Sequence, residues 1–175
     1  MEFREGSIEN LYNNSKSFIC PTKTVQLLDQ EIAETLFTYL YCNIQWEEGI
    51  RSKSGFTRLA KGLSIDDEVL QPVLPYIINA IDKLKPKSVS KYAIIGTYLN
   101  LYENGDMWTP NHNHPKQHQI VISLGAERIL KVGKTDYKMT TGSAIIFGSS
   151  IHGVPKDPNC HQPRISIATF MIPIE

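Results

Sequence analysis

The sequence predicts an α+β fold in which helices come first and a jelly-roll of antiparallel strands follows. Before about residue 91 apolar residues recur at helical spacing, whereas from residue 92 they gather in short β-rich runs separated by Gly, Pro, Asn and Asp. Elements segregated along the chain in this way pack as helices buttressing one face of an antiparallel sheet. Length sets the scale: 175 residues are enough for one domain with a proper core and too few for two comfortable ones. The expected organisation is one compact domain, with residues 1–91 as helical support and residues 92–175 as the β core.

The first helix is expected in LLDQEIAETLFTYLY, where Ile32, Leu36, Phe37, Leu40 and Tyr41 keep helical spacing and Asp29 can cap the start. A second apolar stripe, Leu74, Ile77, Ile78, Ile81 and Leu84, runs through LQPVLPYIINAIDKL. It requires Pro72 and Pro75 to sit in the first turn, where a missing N–H costs little. Between the two lies IRSKSGFTRLAKGL. Its Arg51, Lys53, Arg58 and Lys61 read as a solvated charged loop, or as phosphate contacts with Phe56 available to stack on a base. The strands are expected in YAIIGTYLNLYE, HQIVISLG, ERILKVG, KMTT, GSAIIFG and RISIATFMI.

Composition excludes several function classes. Hydrophobic residues make up 41% of the chain and charged residues 21%, ordinary values for a soluble globular protein. With 18 basic and 18 acidic residues the formal charge is zero, which argues against coating nucleic acid by bulk attraction. Cys20, Cys42 and Cys160 form no C-x-x-C pair and read as reduced thiols. The N-terminus MEFREGSIEN lacks an apolar signal region, and no apolar run approaches the roughly 20 residues a membrane helix needs. An intracellular protein, cytoplasmic or nuclear, without a membrane partner and monomeric, is expected.

Five histidines are present, and PNHNHPKQHQ holds His112, His114 and His118. His112 and His114 are two residues apart, so on an extended strand both imidazoles project from one face toward one ion. A third ligand must come from elsewhere, and SSIHGVPK offers His152. Two near neighbours and one distant residue make a facial set that leaves the opposite positions open for substrate and oxygen. A structural zinc site would normally close with a fourth ligand, most often including Cys. H-x-H taken alone leaves a histidine-rich solvated loop equally open. His118, opening a strand, is expected at the rim or behind the ligands, His161 in the loop KDPNCHQP, and Asp106 off the strand pair.

The stretch from Asn100 to Met171 resembles the catalytic core of the AlkB-like family of Fe(II)/2-oxoglutarate-dependent dioxygenases. The carrying residues are NLY at Asn100 to Tyr102, NG at Asn104 and Gly105, His112, VISLGAERILKV, TTGSAIIFG, HGVPK from His152, and RISIATF from Arg164. Upstream, LFTYLYCNIQW and FTRLAKGL are similar to the region where that family carries a nucleotide-recognition lid. The resemblance implies a double-stranded β-helix core and Fe(II), 2-oxoglutarate and O2 as cofactors. It implies oxidative dealkylation of an alkylated DNA or RNA base, flipped into the site. It assigns His112, His114 and His152 to the metal. Asn100, Tyr102 and Arg164 would hold 2-oxoglutarate, Arg164 through a charge-assisted contact with the distal carboxylate. Ser166, facing the same way, would donate as well. Phe56, Trp108 and the ring of His112 would stack on the base, with Arg58 and Lys61 as further substrate contacts.

Two departures from the family pattern stand out. Residue 114 is His where the family has a carboxylate, and Phe170 and Met171 stand in the region of a second arginine. One removes a negative charge and the other a positive one, so the local charge is expected to balance. Two alternatives remain at this point. One is a cupin-like dioxygenase with three histidines that acts on a small molecule without 2-oxoglutarate. The other is a relative that binds bases without turnover.

Overall fold

The computed structural model describes residues 18–49, 51–52 and 55–174, with the backbone alone at 51, 52, 55 and 56. Local chemistry sets the ends of the helices. Helix α1 (Gln30–Asn43) starts at Asp29, whose Oδ1 accepts a hydrogen bond from the Ile32 N–H at 2.9 Å. Such a cap typically contributes about 1 kcal/mol. The helix buries Ala33, Leu36 and Leu40, while Tyr41 turns outward and stacks on Phe37 at 5.7 Å. Helix α2 (Leu74–Leu84) carries Pro75 in its first turn and buries Ile77, Ala80, Ile81 and Leu84. Pro72 lies in the turn just before it.

The strands are β1 (Lys23–Gln26), β2 (Glu47–Glu48), β3 (Arg51–Ser52), β4 (Gly55–Phe56), β5 (Leu59–Leu63), β6 (Tyr92–Tyr102) and β7 (Thr109–His112). They continue with β8 (His118–Gly125), β9 (Arg128–Val132), β10 (Thr135–Met139), β11 (Ser143–Phe147), β12 (His152–Val154) and β13 (Arg164–Pro173). Among the described residues the large sheet has the order β1-β11-β8-β13-β6-β5-β2 and the small one β10-β9-β12-β7. Strands β3 and β4 form a separate short ribbon. The first half is therefore not only helical. It closes both edges of the large sheet, with β1 on β11 and β5 on β6. The charged segment expected as a loop contributes β3, β4 and β5, because Leu59, Ala60 and Leu63 find partners along β6 that composition alone does not reveal.

The large sheet is buried on both faces, which explains why its strands read as nearly continuous apolar runs. One face meets the helices: Ile165 and Ile167 of β13, Ile120, Ile122 and Leu124 of β8, and Leu99 and Leu101 of β6 join the helical residues in one core. Truncating one of these, Ile167→Ala for example, should cost about 2–5 kcal/mol. The alternate residues point the other way, between the sheets, where Val121, Leu130, Val132, Ile145, Phe147 and Ala168 make a second, smaller cluster. Two close approaches hold the loops at the end of the sandwich. A Cβ on Gly105 would lie 1.6 Å from the Asp157 carbonyl oxygen. At Gly125 the backbone takes φ +86, and a Cβ would meet the Pro163 carbonyl at 2.5 Å. No helix among the described residues is long and apolar enough to cross a membrane.

Candidate metal centre and anion anchor

Strand pairing brings the distant histidines together. His152 opens β12 directly opposite His112, the last residue of β7, so their rings lie 4.3 Å apart between centroids. His114 stands two residues beyond the end of β7, with its ring 4.9 Å from that of His112 and 5.5 Å from that of His152. One nitrogen from each ring can be chosen so that all three lie within 4.8 Å of one another. A common ion at the roughly 2.0–2.1 Å usual for imidazole ligands would draw them closer.

Backbone carbonyls fix two of the three rings. His112 Nδ1 lies 2.7 Å from the Pro110 oxygen and His152 Nδ1 lies 2.9 Å from the Ser150 oxygen. A carbonyl only accepts, so each Nδ1 carries the proton and each Nε2 keeps its lone pair for a metal. The Nε2 of His152 is buried without a partner. Burial, the largest influence, pushes the His152 pKa down to about 4; the Ser150 hydrogen bond opposes it and the neighbouring His112 and His114 add to it. Burial, and then His112, also lowers His114. His114 is seated by ring contacts, including an edge contact with Phe170 at 4.8 Å. His114 and Phe170 thus touch each other.

A cavity of about 480 Å³ between the two sheets takes in this centre and continues to a set of polar side chains. Asn100 and Tyr102 on β6 sit directly opposite Ser166 and Arg164 on β13. Arg164 is buried; its Nε donates to Ser123 Oγ at 2.8 Å, and its Nη1 has no partner. Its guanidinium lies over the Tyr102 ring, 5.3 Å from the centroid. Burial lowers its pKa below the ordinary arginine value, opposed by Tyr102. Asn100 Nδ2 donates to Ser166 Oγ at 3.2 Å, and the Tyr102 hydroxyl shares a hydrogen bond of 2.5 Å with Thr109 Oγ1. An unsatisfied guanidinium N–H in a closed polar corner suits a carboxylate.

The expected substrate contacts scatter. Arg58 is not on a solvated loop: it is 6% exposed, lines the cavity, and donates from Nε to Asn100 Oδ1 at 2.7 Å. Its place just before β5 draws it inward. Lys61 stays at the edge and pairs with Glu47 at 2.7 Å. Trp108 does not line the cavity; its backbone N–H donates to the Thr57 carbonyl oxygen at 2.9 Å and the Lys156 ammonium lies 5.8 Å from its ring centroid. The Phe56 side chain lies outside the described residues. His118 is not at the rim. It faces the helix side, bonded to the Tyr92 hydroxyl at 2.6 Å and the Phe18 oxygen at 3.3 Å, because the next residue, Gln119, takes the cavity side. Asp106 and His161 are exposed in their loops.

Two buried polar residues near the site went unread in the sequence. Arg128, fully buried at the start of β9, donates to the Asn104, Met107 and Pro155 oxygens at 3.2, 2.8 and 2.7 Å and lies 5.3 Å from the centroid of the Tyr102 ring. It fastens two loops and supports the anchor. Gln119 is buried with its Oε1 unpartnered. The signal for both was a polar residue at the head of an apolar strand.

No protein-family profile matches the sequence, and no curated protein does. Solved structures do resemble it. A viral collagen prolyl hydroxylase from Paramecium Bursaria Chlorella virus-1, in its 2OG complex, matches 88% of this chain and 96% of its own with 12% identity and a TM-score of 0.60. A Trichoplax adhaerens prolyl hydroxylase, solved with a hypoxia inducible factor peptide, matches 94% of this chain and 86% of its own with 12% identity and a TM-score of 0.63. The non-heme alpha ketoglutarate dependent epimerase SnoN from nogalamycin biosynthesis matches 93% of this chain and 80% of its own with 13% identity and a TM-score of 0.64. The chain therefore has the antiparallel jelly-roll fold, a double-stranded β-helix flanked by helices, that these solved prolyl hydroxylases and the SnoN epimerase share.

Proposed function

We propose that the chain is a dioxygenase that uses Fe(II), O2 and 2-oxoglutarate to remove alkyl groups from nucleic acid bases. One observation carries the oxygenase part. Three imidazole nitrogens converge within 4.8 Å in the cavity that also holds a buried guanidinium with an unpartnered Nη1. Neutral imidazoles are ready ligands for Fe(II), and the buried Nε2 of His152 needs an electrophilic partner. When bound, Fe(II) would couple the oxidative decarboxylation of 2-oxoglutarate to succinate and CO2 with hydroxylation of a substrate C–H bond.

The remaining roles belong to the chain. His112, His114 and His152 would hold the metal, with the Pro110 and Ser150 carbonyls fixing two ring tautomers. Arg164 would bind the distal carboxylate through its free N–H, with Tyr102, Asn100 and Ser166 closing the corner around it. The walls between the sheets would keep water from the reacting carbon. Hydroxylation of an N-alkyl carbon gives an unstable adduct that falls apart to aldehyde and free base. The base assignment rests on the resemblance between Asn100 and Met171, and a cavity of about 480 Å³ has room for a flipped base. In this reading the protein works as a monomer inside the cell on DNA or RNA, with Arg58, which lines the cavity, against the base.

A second reading is favoured by the third imidazole: a three-histidine dioxygenase that does not use 2-oxoglutarate. Product analysis separates the two. Anaerobic addition of Fe(II) and 2-oxoglutarate should give a visible absorption band. In air, a methylated oligonucleotide should then yield formaldehyde and succinate in equal amounts. Oxygen uptake on a small organic substrate without succinate would favour the second reading, and silence in every assay would overturn both.

A further inference from the structure

One wall of the cavity changes character step by step along the paired strands β8 and β13. Starting from the anchor, Arg164 lies opposite Gly125, Ser166 opposite Ser123, Ala168 opposite Val121, and Phe170 opposite Gln119. Residues directly opposite one another, or two apart on one strand, share a face of the sheet. Arg164, Ser166, Ala168, Phe170, Val121 and Gln119 all line the cavity. The order along this wall is a polar corner, an apolar rung, and then an amide. A five-carbon 2-oxo diacid has the same order: a distal carboxylate, two methylenes, and a second anionic end that chelates a metal.

Gln119 sits where that second end must lie. On its other side β11 places Phe147 opposite it. Between centroids, the Phe147 ring is 4.7 Å from the His152 ring and the Phe170 ring 4.8 Å from the His114 ring. Gln119 thus stands between two residues whose rings each touch a histidine of the candidate metal centre. It is 7% exposed, and its Oε1 is buried without a partner. An amide held between phenyl rings is unfavourable unless a further group completes its hydrogen bonds. Phe170, in the region of the second arginine that the resemblance leads one to expect, cannot donate to an anion, and neither can Phe147. The Gln119 amide can, since it carries two N–H donors beside its acceptor and presents either by rotation about its last bond.

We propose that Gln119 binds the metal-proximal carboxylate of 2-oxoglutarate through its side-chain amide. Each end of the cosubstrate then has a donor from a different strand: Arg164 on β13 for the distal end, Gln119 on β8 for the chelating end. The assignment rests on the oxygenase part of the proposed function and is independent of which substrate is oxidised. A neutral amide also leaves the charge at the metal end to the ion and the cosubstrate, where an arginine would add a cation beside His114.

The test is a binding measurement without turnover, with two ligands that share only the chelating end. The full chain, loaded with Co(II), is titrated by calorimetry with 2-oxoglutarate and with oxalate, which chelates but has no distal arm. Gln119→Met keeps nearly the same shape without an N–H. It should bind both ligands about tenfold more weakly or worse, the usual scale for a hydrogen bond to a charged group. Its Co(II) affinity should stay within about threefold of wild type. Gln119→Leu should behave alike and serves should the methionine variant not fold. Arg164→Met should weaken 2-oxoglutarate alone and leave oxalate within about threefold. Oxalate binding unchanged in the Gln119 variants would overturn the proposal, whatever happens to 2-oxoglutarate. So would an equal loss of oxalate in Arg164→Met, since the two ends would then not be separate. If the Co(II)-loaded wild-type protein binds neither ligand, the oxygenase reading falls and takes the proposal with it. If wild type and Gln119 variants bind both ligands equally well, the proposal alone falls.

Discussion

The two ends of the cavity are built in different ways. At the anchor end Asn100, Tyr102, Arg164 and Ser166 sit on β6 and β13, strands of eleven and ten residues paired along most of their length. At the metal end the three histidines that could hold an ion come from β7, with four residues, β12, with three, and a loop. The anchor inherits its geometry from a long register that nothing local can shift without flipping every neighbour to the wrong face. The metal end depends on one cross-strand pair, His112 with His152, on two carbonyl tethers and on a phenyl ring. Where the sheet is long, secondary structure alone positions a group; where it is short, hydrogen bonds and ring contacts must do so.

The most severe break should come at the metal end. Removing a partner behind a metal ligand typically costs about 10–100-fold in affinity, so His152→Ala, which removes a ligand and one arm of the cross-strand pair, should cost about 100-fold or more. Co(II) titration followed by absorbance would measure this, and binding within a factor of three of wild type would break the comparison. Next comes the anchor end. Arg164→Met should weaken 2-oxoglutarate binding by about 30-fold or more, corresponding to the roughly 2–5 kcal/mol lost when one partner of a buried charge pair is truncated. Calorimetry with the metal-loaded protein should show Co(II) affinity unchanged in the same variant, which separates the two ends.

A finer test addresses the contact between the two unusual positions. His114→Asp alone puts a carboxylate against the Phe170 ring, and Phe170→Arg alone puts a cation against an imidazole. Together they would place opposite charges in contact. Metal affinities of the four proteins should give a favourable coupling of about 1–3 kcal/mol, within the usual range for residues in contact. Additive effects would mean the two positions are independent.

The smallest effect concerns acid. His152 is held neutral in the folded chain down to about pH 4, against an ordinary value of 6.5. Its folded pKa is depressed, so the unfolded chain binds the proton more readily. Its contribution to stability is fully present above about pH 6.5 and is lost progressively as the pH falls toward 4. The metal-free protein should therefore lose thermal stability across that window, more steeply than His152→Gln does. Parallel melting curves for the two proteins would deny His152 this role.

The strand runs, the capped first helix and the polar positions inside apolar strands were legible because each depends on neighbours a few residues away. RISIATF announces its two faces directly: Ile165 and Ile167 go to the helices, Arg164 and Ser166 to the cavity. Arg58 was named as a substrate contact only through the resemblance, and its burial was not legible, since a basic run reads as solvated and only pairing of β5 with β6 turns this one inward. His118 was misread because the face of a strand cannot be told from its first residue. Edge strands β1 and β2 escaped notice because strands of four and two residues carry too little periodicity to detect.

By itself the sequence determined where the chain is helical, where it alternates as strand, and which residue types could bind a metal and an acid. Those are properties of short segments, set by side-chain spacing and backbone preference. Only the tertiary structure decided that His112 and His152, forty residues apart, lie opposite one another, that Phe170 meets His114, and that Arg58 shares a cavity with Arg164. Convergence of this kind is fixed by which strands pair and in what register, and the choice of partner is made by the whole buried surface at once.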